Sequence, residues 1–262
     1  MRDGLRGPFS DDTKGAFLAG IAGEEESIKF GIVGSIAHPQ VDMTRVNYDK
    51  KPWATHPTQQ ISYVSCHDDM CLVDRLKASV PRYVKVKRRP HGGIDTSRFV
   101  GTNGSFHLSG RSVYVGWRGD VAHKKGVHNS FSSPDSINEF NWDNLKQYPQ
   151  VFEYYRNLIQ LRKNHPAFRL AKAESVVRHL QFLTASDCLI AFQLKDLEGI
   201  DTWKDIIVVL NGNRDTKTVD IPEGEYRVAC CNGVISEAGI GMPVSGGKTT
   251  VDGQSALILY RQ

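Results

Sequence analysis

The hydrophobic pattern of the chain changes character at about residue 170. In "YPQVFEYYRNLIQLRKNHPAF", apolar residues recur every three or four positions, which predicts an amphipathic helix. Pro166 ends this helix, because proline lacks the N–H group that a helical hydrogen-bond ladder needs. The predicted apolar positions are Val151, Tyr154, Tyr155, Leu158, Ile159 and Leu161.

From residue 174 onward the apolar runs are short and rich in β-branched and aromatic residues, and Gly, Asn and Asp separate them. This pattern is typical of an antiparallel β-sandwich. We therefore predict two domains, residues 1–170 and residues 171–262. The predicted strands are "RHLQFL", "CLIAFQL", "DIIVVLNGN", "KTVDI", "GEYRVACC" and "SALILYR".

The first sixty residues contain one predicted helix, in "EEESIKFGIVGSI", and then a long irregular run, "HPQVDMTRVNYDKKPWATHPTQQ". Compact domains seldom contain such runs unless they are functional loops. The next segment, "ISYVSCHDDM", predicts a buried strand over Ile61–Ser65 that leads into His67, Asp68 and Asp69, and "MCLVDRLKAS" has the period of a helix. A strand that delivers polar side chains into the loop before a helix is typical of the catalytic rim of a (β/α)8 barrel.

The net charge of +4 comes from a single segment. Arg82–Lys125 contains ten Lys and Arg against two Asp, whereas the rest of the chain has 23 basic and 27 acidic residues. The basic character of the whole chain is therefore no argument for a nucleic-acid partner, and none is predicted.

The cysteines predict no metal site and no disulfide framework, because the five of them are odd in number and form no C-x-x-C pair. We predict no cofactor. No run approaches the roughly 20 apolar residues of a membrane span, and the N-terminus has no signal-peptide pattern. Met1 leads directly into charged, Gly-rich sequence, so the start is expected to be internal to a longer protein, whose localisation is left open.

Several segments resemble, in order, the type I pullulanases of the α-amylase superfamily of glycoside hydrolases. "MRDGLRG" resembles the start of the long loop after the third motif, and "ISYVSCHDD" resembles the fourth conserved motif. "KKGVHNSFSSPDSINEFNWDNLKQYPQVFEYYRNLIQLRKNHPAF" resembles the segment after the last barrel strand, and the terminal strands resemble the C-terminal β-domain. The resemblance implies the C-terminal part of a (β/α)8 TIM barrel followed by an antiparallel β-sandwich.

The same resemblance implies a function and site residues. The family debranches α-glucans such as pullulan, amylopectin and glycogen-derived dextrins by hydrolysing α-1,6-glucosidic bonds with retention. Asp68 matches its transition-state-stabilising carboxylate, and His67 matches the neighbouring substrate-binding histidine. Asn129, Ser133 and Asp135 lie in a loop that the family places near the substrate, although Asx and Ser turns explain them equally well.

Other candidates are interpreted structurally. Asp69 is better explained as a helix N-cap than as a catalytic group. Trp142, Phe152 and Tyr155 are interpreted as core residues rather than sugar platforms. The family's nucleophile and acid/base motifs precede the matched region, so the chain by itself is expected to be inactive.

Arg82–Lys125 matches nothing in the family, which has a helix, the eighth barrel strand and a "GEE" turn there. Permitted codons for "HLSGRSVYVGWRGDVAHK", read one base later, encode "TSQGVPFMWAGEEMLRTK". The shifted reading supplies the missing strand and turn together. We therefore interpret Arg82–Lys125 as translated out of frame.

Two other function classes stay open. The chain could be a non-catalytic carbohydrate-binding or interaction module that uses the sandwich, which an exposed row of aromatic residues on its strands would favour. Nucleic-acid binding would require the basic segment to be authentic.

Overall fold

The computed structural model of the chain describes residues 2–7, 16–63, 119–120, 125–126, 134, 142, 144–147 and 149–262. The helices are α1 (Arg2–Arg6), α2 (Glu25–Ile32), α3 (Asn144–Gln147), α4 (Pro149–Asn164) and α5 (Ala173–His179). Short 3-10 helices span Phe17–Ala19, Met43–Arg45, Pro57–Gln59 and Pro166–Arg169.

After two short strands, β1 (Gly119–Asp120) and β2 (Lys125–Gly126), the strands of the C-terminal part are β3 (Leu180–Ser186), β4 (Leu189–Leu194), β5 (Asp205–Asn211), β6 (Lys217–Cys231), β7 (Val234–Ile235), β8 (Val244–Val251) and β9 (Ser255–Arg261). They form an antiparallel sheet in the order β3-β4-β5-β9-β6-β7, and β8 pairs with the first part of β6. This confirms the antiparallel sheet of the fold prediction.

The predicted strands differ from the structure at three places. The segments "KTVDI" and "GEYRVACC" form one strand, β6, whose pairing with β8 shifts register between Ile221 and Glu225. Strand β8 was not predicted, because the adjacent glycines Gly246 and Gly247 interrupt its pattern. Helix α5 was not predicted. The predicted strand "RHLQFL" begins at Arg178 and therefore overlaps the last two residues of this helix.

The central strands are buried on both faces, which explains their unbroken apolar runs. In β5, Ile206 and Val208 belong to one hydrophobic cluster, whereas Ile207 and Val209 belong to another. The second cluster also contains Val219 from the first part of β6 and Val251 from β8. These two paired segments therefore cover one face of the sheet. The other face packs against the helices and the N-terminal segments.

The N-terminal residues contribute to the same core as the sheet. Phe17, Ile28 and Phe30 share one cluster of buried residues with Ile206 of the sheet. The two parts also meet closely at Gly212, where an added Cβ atom would lie 2.2 Å from the carbonyl oxygen of Phe17. The predicted boundary near residue 170 is therefore crossed by a continuous apolar core, and the division into two domains stays a prediction.

Two of the three predicted helices are confirmed by α2 and α4, and the third, in "MCLVDRLKAS", lies outside the described residues. Helix α4 buries Tyr154, Tyr155, Leu158 and Leu161, and it ends before Pro166 as the sequence indicated. The core interpretation holds for Tyr155 but is wrong for Trp142, which is 64% exposed.

The predicted buried strand over Ile61–Ser65 is wrong for its described part. Residues 61–63 form no strand, and Ile61 is 62% exposed. A strand needs a hydrogen-bonded neighbour, and outside the C-terminal sheet the described residues contain only β1 (Gly119–Asp120) and β2 (Lys125–Gly126), which pair with each other. The barrel part of the fold prediction is accordingly taken up below as a proposal. Among the described residues, no helix is long and apolar enough to cross a membrane.

Candidate functional site

The residues that the sequence predicted for the site lie outside the described part of the chain. These residues are His67, Asp68, Asn129, Ser133 and Asp135. The interpretation of Asp69 as an N-cap and the out-of-frame interpretation of Arg82–Lys125 also fall there, apart from the short pair of strands β1 and β2. The described segment nearest to Asp68 is the irregular run 38–63, which ends five residues before it.

A polar cavity of about 460 Å³ lies beside this run. Its lining comes from α1, from α2 and its C-terminal turn, and from residues 46–63. A volume of this size falls in the range of small-molecule binding sites. The irregular run thus forms one wall of a cavity that is large enough for a small molecule. In the sequence, this run is followed directly by the predicted catalytic segment that contains Asp68.

A hydrogen-bonded chain of three polar side chains lines part of the cavity. The hydroxyl of Ser35 donates to Oε1 of Gln60, and Nε2 of Gln60 donates to Oγ of Ser62 at 2.6 Å. Nε2 of Gln60 also donates to the carbonyl oxygen of Gly31 at 3.3 Å. Ser35 and Ser62 are buried, so this chain of hydrogen bonds fixes the orientation of the Gln60 amide.

Aromatic side chains stand at the edge of the cavity. Tyr48 is 77% exposed, Trp53 is 52% exposed and Tyr63 is 37% exposed, and all three line it. Tyr48 has φ +68° and occupies the centre of a three-residue turn, closed by the N–H of Asp49 donating to the carbonyl of Asn47 at 2.8 Å. Such a turn is rare and strained for a bulky residue, at a cost of roughly 1–3 kcal/mol.

Neighbouring groups hold this strained turn in place. The hydroxyl of Tyr48 donates to Oδ2 of Asp3 at 3.0 Å. The backbone N–H of Asn47 donates to Oγ of Ser27 at 3.0 Å, and its side-chain amide donates to Glu24. The position of Tyr48 is therefore set by helices α1 and α2 rather than by the preferences of the loop.

The start of the irregular run is fastened to the edge of the sheet. Nε2 of His38 donates to the carbonyl of Leu180 at 3.2 Å, and its Nδ1 accepts from the N–H of Gln40 at 3.2 Å. The side chain of Gln40 donates to the carbonyl of Phe182 at 2.9 Å and accepts from its N–H at 2.8 Å. Burial lowers the pKa of His38, the hydrogen bond to Leu180 raises it by less, and the charge of Lys29 lowers it slightly further, so the net shift favours the neutral ring that these bonds require.

A buried ionic cluster joins the end of α4 to the sheet. Nδ1 of His165 donates to Oδ1 of Asp201 at 2.7 Å, and the backbone N–H groups of Ala167 and Trp203 donate to the same carboxylate, each at 3.0 Å. Burial by itself raises the pKa of Asp201, but these hydrogen bonds outweigh it and leave the pKa below its usual value. The indole of Trp203 stacks on His165 at 3.6 Å and on Tyr260 at 3.9 Å between ring centroids.

This ionic cluster is a structural connection rather than a reaction centre. The side chains of His165 and Asp201 are 4% and 0% exposed. A substrate could not reach them without opening the core. Among the described residues, no group of three or more His, Cys, Asp or Glu side chains is arranged to hold a metal ion.

Comparison with known proteins identifies the relationship. A family model described as "Pullulanase, all-beta domain" matches residues 176–233, which begin in α5 and end after β6. The pullulanase of Bacillus subtilis is 32% identical to this chain over 232 residues, which are 88% of this chain and 30% of that protein. The chain is a relative of the pullulanases.

Solved pullulanase structures agree with this relationship. The pullulanase from Bacillus acidopullulyticus superposes with a TM-score of 0.78 at 29% identity, covering 99% of this chain and 29% of that one. The type I pullulanase of Bacillus subtilis, solved in complex with maltose, gives a TM-score of 0.77 at 28% identity, covering 99% of this chain and 34% of that one. The chain thus spans about a third of the length of each relative.

Sequence reasoning did not single out Tyr48 and Trp53, the exposed aromatic residues that line the cavity. The signal was present, because both lie in an irregular run too long to be a plain connection. The sequence did not show that this run lines a cavity, since the lining is completed by α1 and α2.

Proposed function

We propose that this chain is part of a retaining debranching hydrolase that cleaves α-1,6-glucosidic bonds in pullulan, amylopectin or glycogen-derived dextrins. The observation that carries the proposal is the match to the Bacillus subtilis pullulanase, which extends over 88% of the chain at 32% identity. The maltose bound to the related solved structure is consistent with an α-glucan ligand for this chain.

In this proposal the chain provides one part of the catalytic machinery. Asp68 stays ionised and stabilises positive charge on the sugar ring as the transition state forms, and His67 donates a hydrogen bond to a sugar hydroxyl. Asn129, Ser133 and Asp135 contact the substrate from a second loop. Retaining hydrolysis also needs a nucleophile and an acid about 5–5.5 Å apart, which we assign to the part of a longer protein that corresponds to the unmatched two thirds of the relatives.

The barrel belongs to the same proposal. The part of the chain that contains His67 and Asp68 is proposed to be the C-terminal part of a (β/α)8 barrel, completed by the rest of the longer protein. The sheet after residue 171 then packs beside the barrel.

The test compares three proteins for the release of reducing ends from pullulan. These are the purified chain, a longer gene product with a nucleophile and an acid, and the Asp68→Ala variant of that product. We expect turnover only from the unmodified longer product. Equal activity in the Asp68→Ala variant would refute the role of Asp68. Turnover by the isolated chain would refute the assignment of the nucleophile and the acid to another part of a longer protein.

The out-of-frame interpretation of Arg82–Lys125 is tested by resequencing the coding DNA. We expect a one-base discrepancy near Pro81 and a compensating one between Lys124 and Gly126. Sequencing reads that confirm the present frame throughout would contradict the interpretation. They would also reopen the hypothesis that this segment is a basic arm that binds a partner.

A further inference from the structure

The cavity beside residues 46–63 has the chemistry of a carbohydrate site. Among the described residues that line it, the polar groups are hydroxyls, amides and the carboxylates of Asp3 and Asp49, and none is Lys or Arg. A phosphate or another anion would meet no opposite charge among these described lining residues. A neutral, hydroxyl-rich ligand is the class that this lining suits.

The aromatic side chains at the edge of the cavity meet a second requirement of sugar binding. A pyranose presents polar hydroxyls around its ring and apolar C–H groups on its faces, so it pairs with a flat amphipathic side chain next to hydrogen-bonding groups. Tyr48 and Trp53 provide exposed rings, 77% and 52% accessible, beside the exposed polar side chains of Asn47 and Asp49, which also line the cavity.

The position of the cavity links it to the proposed catalytic loop. Tyr63 lines the cavity, and Asp68 follows five residues later. Five residues of extended chain span at most about 18 Å, a length that an oligosaccharide of a few units also covers. Under the proposed function, one α-glucan therefore contacts both the cavity and the catalytic loop.

We propose that Tyr48 and Trp53 form a glucan-binding subsite at this cavity, which holds a glucose unit of an α-linked chain away from the bond that is cleaved. The identity of the sugar rests on the proposed function, whereas the preference for a neutral, hydroxyl-rich ligand rests on the lining. The turn that holds Tyr48, anchored to α1 and α2, presents its ring to the ligand without prior rearrangement.

The direct test measures maltohexaose binding to the purified chain by calorimetry. We expect Trp53→Ala and Tyr48→Ala each to raise the Kd roughly three- to tenfold, as loss of a stacking contact implies. Tyr48→Phe keeps the ring and is expected to retain most of the affinity. Met242→Ala is the control, because Met242 is 84% exposed but does not line the cavity.

Two results would overturn the proposal. One is a Kd that Trp53→Ala and Tyr48→Ala leave unchanged, in variants whose circular dichroism and melting match the unmodified chain. The other is the absence of maltohexaose binding by the unmodified chain at millimolar concentration. Should Tyr48→Ala fail to fold, Trp53→Ala alone decides the outcome.

Kinetics of the longer gene product separate this proposal from the proposed function. Asp68→Ala is expected to abolish turnover, whereas Trp53→Ala is expected to raise KM more than it lowers kcat. An active Asp68→Ala variant would contradict the proposed function. An inactive Asp68→Ala variant together with an unchanged KM in Trp53→Ala would contradict the subsite alone.

Discussion

The C-terminal sheet and the irregular run 38–63 are held in place by different means. In the sheet, adjacent residues such as Ile206 and Ile207 enter two separate hydrophobic clusters, so burial fixes both faces. In the irregular run, side chains such as Gln40 and Gln60 bond to backbone groups of other elements and replace regular pairing. The sheet is therefore held by burial on both faces, whereas the run is held by side-chain hydrogen bonds and leaves the rings of Tyr48 and Trp53 exposed.

The largest effect is expected from removing a side chain at the centre of the sheet. Phe192 is fully buried and contacts Phe182 at 6.0 Å between ring centroids. Phe192→Ala is expected to lower the free energy of unfolding by about 3–5 kcal/mol, because a cavity remains in a core with both faces covered. Chemical denaturation measures the loss, and Phe192→Leu should lose much less. A loss below about 1 kcal/mol would show that the sheet repacks freely.

The next effect is expected at the ionic cluster that joins α4 to the sheet. Asp201→Asn replaces a buried acceptor of three hydrogen bonds and is expected to cost about 2–3 kcal/mol at neutral pH. The lowered pKa of Asp201 means that its contribution is present above its unfolded pKa of about 3.9 and is lost as pH falls through the lower folded value. Acid titration of stability in both proteins checks this, and an equal acid response would contradict it.

A smaller effect is expected where the N-terminal segment meets the sheet. Gly212→Ala places a Cβ atom 2.2 Å from the carbonyl oxygen of Phe17, so the 3-10 turn there must move. We expect a loss of about 1–3 kcal/mol, typical of overpacking. A matched control is Gly199→Ala, where the added atom meets nothing within 4 Å and only the positive φ of +79° is unfavourable. If Gly212→Ala costs no more than Gly199→Ala, the segment is not held by this contact.

The smallest effect is expected where the irregular run begins. The pKa of His38 is lowered by burial, so its contribution to stability is present above the ordinary value of 6.5 and is lost as pH falls through the lower folded value. Protonation removes the acceptor that Nδ1 offers to the N–H of Gln40. We expect a decrease of at most about 1 kcal/mol on acidification to pH 5, absent in His38→Gln. The protection factor of the Gln40 amide, which corrects exchange for the intrinsic rate at each pH, reports it, and equal protection factors at both pH values would contradict it.

The sequence by itself determined the elements whose burial has a simple period. Helix α4 was predicted from apolar positions at helical spacing, and its end was predicted from Pro166. Strands β5 and β9 were predicted from short apolar runs, and their run-like pattern reflects burial on both faces. The relationship to the pullulanases was also contained in the order of motifs, because a series of matches is more specific than any one of them.

Tertiary structure decided the features that depend on distant partners. The two glycines in β8 weaken its strand pattern, so the strand forms because β6 supplies a complete row of hydrogen-bonding partners. Residues 61–63 alternate apolar and polar side chains as a strand does yet form none, and outside the C-terminal sheet the described part of the chain offers only β1 and β2, which pair with each other. The cavity and its aromatic edge arise where the irregular run meets α1 and α2. No local sequence pattern predicts this meeting, because its contacts join residues as distant in the chain as Asp3 and Tyr48.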